Sequence, residues 1–284
     1  MKTCDVVLHR GRSIIQHGHF NNRVYVLKLA MEEIPDIIRF ADDIAHKEGY
    51  SKIFVKVPES AVEIFSSAGY IPEATVPFFF QGKESAVFMA KYTNPARKMI
   101  SDEEKIADTL SAAFGYSGER TPHSLPDGFS LMHAHAGDAA DIAAIYRNVF
   151  RTYPFPIIDP DYIRETMQGS VRYYVIKKSH LLSSVASCDI DYGNRNAEVT
   201  DFATGPLFRG RGFASLLLHA METDMKKEGI LLAYTICRAG FGPINAIFAE
   251  AGYRYGGLLP NNTNICGSVE SMNVWYKTLE AGHP

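Results

Sequence analysis

The chain has 284 residues, a net charge of −3 and a sequence pI near 6.4, with 46% apolar and 21% charged residues. This is the length of two ordinary domains and the composition of a globular protein. No basic stripe dominates, so nucleic acid is not an expected partner and a small molecule is the default. No run of 18 apolar residues predicts a membrane span, and the N-terminal MKTCDVVLHRGRSIIQHG lacks the apolar core of a signal peptide. The four cysteines, Cys4, Cys188, Cys237 and Cys266, show no C-x-x-C or Cys/His spacing, so neither a disulfide framework nor a metal site is expected. A reduced, cytoplasmic setting fits that pattern.

Residues 1–92 read as one unit. Ser13 to Gln16 and Val24 to Leu29 are predicted strands around a polar Asn21-Asn22 turn. Ile34 to Lys47 carries apolar residues at helical spacing and ends at Gly49. Lys52 to Val57 alternates as a strand, Ala61 to Ala68 is a helix stopped by Gly69, and Val76 to Phe80 and Ala86 to Tyr92 are closing strands. Residues 93–127 form a connector with one helix, Asp102 to Phe114, followed by the Gly/Ser/Pro-rich GYSGERTPHSLPDG.

From residue 128 a second unit begins. Its predicted order is a strand (Ser130 to Ala134), helices (Ala139 to Phe150 and Asp161 to Met167, separated by Tyr153-Pro154-Phe155-Pro156) and three strands (Arg172 to Lys177, Leu182 to Asp191, Ala197 to Thr204). A helix (Gly212 to Lys227), a strand (Leu231 to Cys237), a helix (Ile244 to Ala251) and a last strand (Val269 to Lys277) complete it. Adjacent hairpin strands mixed with helices imply an α+β fold with a mixed sheet rather than a doubly wound one.

The two units echo each other. Ala45-His46-Lys47-Glu48-Gly49, a strand, a helix and Ala68-Gly69-Tyr70 parallel Met225-Lys226-Lys227-Glu228-Gly229, a strand, a helix and Ala251-Gly252-Tyr253. Two unrelated helix-strand-helix units would explain this by coincidence. The sharper reading makes the first unit a smaller α/β domain, a degenerate half-copy of the second. It lacks the second unit's Arg/Gly loop and is not expected to bind a cofactor.

That loop is the most informative segment. A strand ends at Gly205-Pro206, and Arg209-Gly210-Arg211-Gly212-Phe213-Ala214-Ser215 opens a helix. Unpaired backbone N–H groups at a helix N-terminus, reinforced by the helix dipole, suit a pyrophosphate. Gly210 and Gly212 allow close approach of the backbone, and Ala214 and Ser215 are small.

The loop resembles the Arg/Gln-x-x-Gly-x-Gly/Ala motif of the GCN5-related N-acetyltransferase superfamily, and the resemblance extends to the element order from Phe129 to the end. It implies a mostly antiparallel mixed sheet flanked by helices. It also implies acetyl-CoA as co-substrate, with no metal. Phe202, Ala203 and Thr204 would splay from the neighbouring strand and bond the pantetheine arm. Arg209 to Ser215 would hold the pyrophosphate, and Asn245 would touch the cofactor arm unless it serves only as a helix-entry residue.

Transfer to an amine requires loss of a proton from a group with a pKa near 10.4, which costs roughly 4–5 kcal/mol at pH 7. Glu198 stands where relatives carry a base. Strand alternation places it on one face with Thr200, Phe202 and Thr204 if no bulge intervenes. Asp201 points away unless a bulge reverses it. Both are catalytic candidates, and Asp189, Asp191 and Glu270 are further carboxylates able to orient an ammonium. Relatives place a general-acid tyrosine where this chain has Phe248, so the usual acid is missing; either the acid is dispensable, a thiolate of thiol pKa about 8.5 being a good leaving group, or Tyr253, Tyr255 or solvent substitutes.

The tail, Asn261 to Lys277, looks like the C-terminal signature of the β-lysine N6-acetyltransferase family, and Ile15 to Asn21, Val24 to Leu29 and Lys52 to Pro58 are similar to it as well. The resemblance therefore runs along nearly the whole chain. It implies β-lysine as the partner and N6-acetyl-β-lysine, a compatible solute, as product. Asn262, Asn264 and Glu270 become acceptor-binding candidates, although Asn261 to Asn264 also reads as a plain turn. Two alternatives stay open: an acetyltransferase for another small or lysine-like amine, and a non-catalytic acyl-CoA sensor. The oligomeric state, homodimer or otherwise, is open too.

Overall fold

The computed structural model describes residues 5–116 and 124–279. Part of the expected Gly/Ser/Pro-rich stretch and Cys4 lie outside the described residues. The N-terminal unit runs β1 (Val6–Arg10), β2 (Ser13–Gly18), β3 (Arg23–Lys28), α1 (Ile34–Glu48), β4 (Lys52–Pro58), α2 (Val62–Ser67), β5 (Ile71–Phe80) and β6 (Glu84–Tyr92). In α1 the periodic residues Ile34, Ile37, Ile38, Ala41 and Ala45 are all buried, and Gly49 at φ 69° closes the helix in the left-handed conformation.

After the connector helix α3 (Glu103–Phe114) come β7 (Phe129–His133), α4 (Ala139–Val149), α5 (Pro160–Gln168), β8 (Val171–Lys178), β9 (Leu181–Asp191) and β10 (Asn196–Thr204). They are followed by α6 (Phe213–Lys227), β11 (Leu232–Arg238), α7 (Gly242–Glu250), β12 (Arg254–Ile265) and β13 (Ser268–Thr278). The expected mixed α+β architecture is present. Two strands were not expected: β1, and the 12-residue β12. The turn expected at Asn261 to Asn264 is the end of β12, where a register shift between Leu259 and Thr263 lets turn-forming residues remain in a ladder.

All the strands among the described residues belong to one sheet, in the order β1-β2-β3-β4-β6-β5-β12-β13-β11-β10-β9-β8-β7. The echo between the units is topological. The first reads β1-β2-β3-β4-β6-β5 and the second β8-β9-β10-β11-β13-β12, and in each the one parallel pair is the third strand with the fourth. The units join through equivalent strands, since β5 and β12 are antiparallel neighbours at Gly257↔Ala74.

Each unit keeps a helix-covered core. Ile37, Val55 and Phe65 belong to the first, under α1 and α2, and Phe213, Leu217, Phe248 and Trp275 to the second, under α6 and α7. A third cluster spans the join: Tyr25, Phe54, Phe79 and Phe88 of the first unit meet Tyr234, Leu259, Met272 and Val274 of the second.

The seam requires glycine. Gly257 has φ +143°, and a Cβ there would lie 2.4 Å from the Glu73 carbonyl oxygen and 2.6 Å from the Ala74 Cα. Gly257→Ala is therefore expected to destabilise the protein by about 3 kcal/mol, lowering Tm by about 5–10 °C. A thermal melt checks this, and an unchanged Tm would mean that the strands part at no cost.

Candidate active site

β10 and β11 begin side by side and then separate. Their parallel ladder covers only Asn196↔Leu232, Ala197↔Ala233 and Glu198↔Tyr234, although the strands continue to Thr204 and Arg238. The resulting V opens into a cavity of about 690 Å³, lined by Phe202 and Thr204 on one arm, Thr235 to Arg238 on the other, and Arg209 to Ser215 at its end. Gly210 and Gly212 adopt φ +75° and +73°, and a Cβ on either would point into open space. No side chain caps α6, which begins directly after Gly212. Its first N–H groups thus face a concave, uncapped loop, as a diphosphate requires. Arg209 lies over the end of β10, donating from Nε to the Thr204 carbonyl at 3.3 Å.

β10 carries a bulge at its midpoint. Thr200 pairs with Ser187 and Ala203 with Val185, so Asp201 and Phe202 stand opposite Ala186 alone. Asp201 takes φ +56°, a left-handed conformation that Asp tolerates better than most residues. The bulge changes the expected facing in two ways. Phe202 leaves the Glu198 face and packs edge-on against Phe248, with ring centroids 5.7 Å apart. Asp201 turns toward the Glu198 side.

Glu198 and Asp201 both line a second cavity of about 630 Å³ between the two units. Tyr153, Thr200, Asp201, Ile236, Ile265 and Met272 border both cavities, so the two meet beside the bulge. Asp201 accepts hydrogen bonds from Ser187 Oγ at 2.6 Å and from the Tyr153 hydroxyl. Burial raises its pKa, and the hydroxyl donors oppose that shift only in part. Glu198 accepts from Tyr234 Oη at 2.9 Å, and its pKa is also raised by burial, against the pull of Lys56 and Tyr234. Lys56, on β4 of the first unit, donates to Tyr234 Oη at 2.9 Å and lies 4.0 Å from Glu198.

Several expected site residues have other work. Asn245 is fully buried. Its Nδ2 donates to the Arg238 and Phe241 carbonyls, and its Oδ1 accepts from Asn273 at 2.8 Å and Trp275 at 2.9 Å. The amide is committed to the turn between β11 and α7 and leaves no polar group for a cofactor arm. Ala203 does not border the donor cavity: its side chain packs under α4, and its carbonyl accepts from Ser184 Oγ. Glu270 is away from the acceptor cavity in a two-point pair with Arg238, both contacts at 2.8 Å. Tyr253 and Tyr255, the substitutes for the missing acid at Phe248, border neither cavity.

The asparagine-rich strand ties the second unit to both the connector and the first unit. Asn261 donates to the Arg97 and Met99 carbonyls, and the Asn262 carbonyl accepts from Arg23. Asn264 donates to the Phe20 carbonyl and accepts from Thr152. Of the expected acceptor-binding set, Asn262 alone borders the inter-unit cavity.

The sequence model of the Acetyltransferase (GNAT) family matches residues 140–243, from α4 through the donor loop to the start of α7. A β-lysine N(6)-acetyltransferase of Methanococcus maripaludis is 36% identical over 96% of this chain and 99% of its own length. The chain belongs to the β-lysine N6-acetyltransferase family of GNAT enzymes. The N-acetyltransferase YodP of Bacillus subtilis is 32% identical, over 94% of this chain and 96% of its own. Among solved structures, the spermidine N-acetyltransferase of Vibrio cholerae in complex with CoA and spermine aligns with a TM-score of 0.47 and 18% identity, covering 54% of this chain and 97% of that one. The sequence relatives thus cover both units, and the enzyme is an acetyl-CoA-dependent N-acetyltransferase.

Sequence reasoning missed Tyr153 and Lys56. Tyr153 sits in the Tyr-Pro-Phe-Pro turn, which reads only as a rigid connection. Lys56 had a signal: Lys52, Phe54 and Lys56 share one strand face, and lysines interleaved with phenylalanine mark cations turned inward.

Proposed function

We propose that this acetyltransferase acylates the N6 amine of β-lysine, releasing CoA and N6-acetyl-β-lysine. The observation that carries the reading is the junction of the donor and inter-unit cavities at Asp201 and Tyr153. The near-full-length relatives named for that reaction support the choice of amine. The acceptor cavity suits a cationic amine, because Asp189, Asp191, Glu198 and Asp201 outnumber Lys28, Lys56 and Arg23 on its wall. Arg23 gives Nη1 to the Asn262 carbonyl and Thr263 and Nη2 to Gln16, while its buried Nε has no partner among the described residues.

Acetyl-CoA supplies an activated thioester. Gly210, Gly212 and the start of α6 would hold its diphosphate, and the free arms of β10 and β11 its pantetheine. Asp201 takes the proton from the N6 ammonium; its raised pKa brings it closer to the working pH than an ordinary carboxylate. Ser187 and Tyr153 fix its orientation and hold it at the cavity junction. In this reading Tyr153, which borders both cavities, returns a proton to the departing sulfur, the role Phe248 cannot fill. Acetylation removes one of two ammonium charges, leaving a net-neutral zwitterion, as expected of a compatible solute. We place the enzyme in the cytoplasm, where acetyl-CoA is at hand, and assign residues 1–92, 93–127 and 128–284 as first unit, connector and catalytic unit.

A thiol-release assay over β-lysine, α-lysine and simple diamines tests the reading. β-Lysine is expected to give the highest kcat/KM, by about tenfold or more over α-lysine. Equal or better turnover of α-lysine would reject the assignment. Acetyl-CoA binding with no amine-dependent CoA release would replace it with a sensor role.

A further inference from the structure

Lys56 is the least expected charge in the acceptor cavity. It comes from the unit that lacks a cofactor loop, and its neighbours on β4, Phe54, Val55 and Val57, are fully buried. Its ammonium is enclosed by the rings of Tyr234, Tyr25 and Phe79, at 5.2, 5.9 and 6.0 Å. Burial works against the charge, but Tyr234, Tyr25 and Glu198 outweigh it and keep the group protonated. Tyr234 engages one of its three donors, the Tyr25 ring lies beside the ammonium, and Glu198 at 4.0 Å lies beyond hydrogen-bonding distance. Both side chains retain access to the cavity, Lys56 14% and Glu198 26% exposed. A docking ion pair between units would be expected to close to contact. This pair is held apart by a tyrosine hydroxyl that touches both charges.

Distance along β10 separates this pair from the chemistry. Asp201 is three residues beyond Glu198, about 10 Å at the rise of a strand and somewhat less across the bulge. An extended chain of six bonds from a primary amine to a carboxylate spans about 8 Å. An amine at Asp201 therefore leaves the far end of such an acceptor beside Glu198 and Lys56.

We propose that Lys56 and Glu198 together form the recognition site for the amino-acid end of the acceptor, Lys56 taking its carboxylate and Glu198 its second ammonium. This rests on the acceptor reading above and deepens it. The first unit then contributes a specificity-determining residue, and Glu198 anchors the substrate rather than acting as the base. The acceptor's two charges would lie alongside two protein charges already held 4.0 Å apart by the Tyr234 hydroxyl, so each opposite-charge contact forms with little reorganisation. Asp189 and Asp191, on the same wall, face the ammonium end and reinforce the preference for a cation there.

Two truncated acceptors separate the contributions. 1,4-Diaminobutane keeps the amine spacing of β-lysine without the carboxylate, and 6-aminohexanoate keeps the carboxylate without the second ammonium. Lys56→Met is expected to lower kcat/KM for β-lysine about 100-fold, mainly through KM, while lowering it at most about threefold for 1,4-diaminobutane. Glu198→Gln is expected to raise KM for β-lysine while changing 6-aminohexanoate much less. Equal losses on all acceptors, or none, would overturn the proposal. If Lys56→Met does not fold, Lys56→Arg carries the test: it should keep the preference for β-lysine over 1,4-diaminobutane, and loss of that preference in a folded protein that binds acetyl-CoA would count against the charge contact. Wild-type enzyme that turns over 1,4-diaminobutane as well as β-lysine would instead reject the β-lysine assignment itself.

Discussion

Asp201→Asn is expected to lower kcat at neutral pH by about 10²–10⁴-fold, the range lost when a positioned general base is removed. Asparagine is isosteric and also tolerates the left-handed backbone at φ +56°, so the bulge, Ser187 and Tyr153 should stay in place. The sign of the pH dependence follows from burial. The Asp201 carboxyl is held above its ordinary range, so wild-type activity falls as pH drops through that raised value and the base is protonated. In the variant this acid limb should vanish, with activity recovering at alkaline pH as the amine deprotonates unaided. Thiol-release kinetics across roughly pH 5 to 10, reaching toward the ordinary pKa of the amine, measure it. A variant that keeps the wild-type profile would remove Asp201 as the base.

Gly212→Glu is expected to weaken acetyl-CoA binding by about 100-fold or more. The Cβ would meet open space at the mouth of the donor loop, so the side chain need not collide with the protein. It would instead place a carboxylate in the diphosphate cradle, where like charges cost several kcal/mol. The backbone at φ +73° adds about 1–2 kcal/mol of strain to the folded state. Calorimetric titration with acetyl-CoA, beside a thermal melt showing that the variant is folded, reads the effect; unchanged affinity would refute the loop assignment.

The cofactor half of the site is legible in the sequence because it is local. A strand, an Arg/Gly loop and a helix are contiguous, and their chemistry resides in backbone groups that glycine exposes. The acceptor half is not legible, for two physical reasons. A single bulge exchanges the facing of Asp201 and Phe202, and alternation along Asn196 to Thr204 contains no sign of it beyond an aspartate able to adopt a positive φ. The wall opposite Glu198 comes from β3, β4 and β5 of the first unit, more than a hundred residues away, and the joining of β5 to β12 helps to bring it there.

The tail misled in an instructive way. Asn261, Asn262, Asn264 and Glu270 resemble a polar ligand site, but the Asn262 carbonyl and the Asn264 side chain tie the second unit to the first, Asn261 ties it to the connector, and Glu270 steadies Arg238. Gly256, Gly257 and Pro260 mimic a loop within β12 because the strand yields to its neighbour at the first two positions and leaves the ladder at the third. Buried polar residues with fixed partners and polar residues awaiting a ligand look alike until the partners are known.

The join at β5 and β12 also governs which parts of the chain can exist alone. An unpaired strand offers its backbone groups to any other strand, and β12 would be such an edge if residues 1–92 were missing. The same loss would uncover Tyr234, Leu259, Met272 and Val274, now sealed by aromatic side chains of the first unit. The second unit therefore depends on residues 1–92 for a covered strand edge and a sealed apolar face as well as for a pocket wall, so neither half can be exchanged without the other.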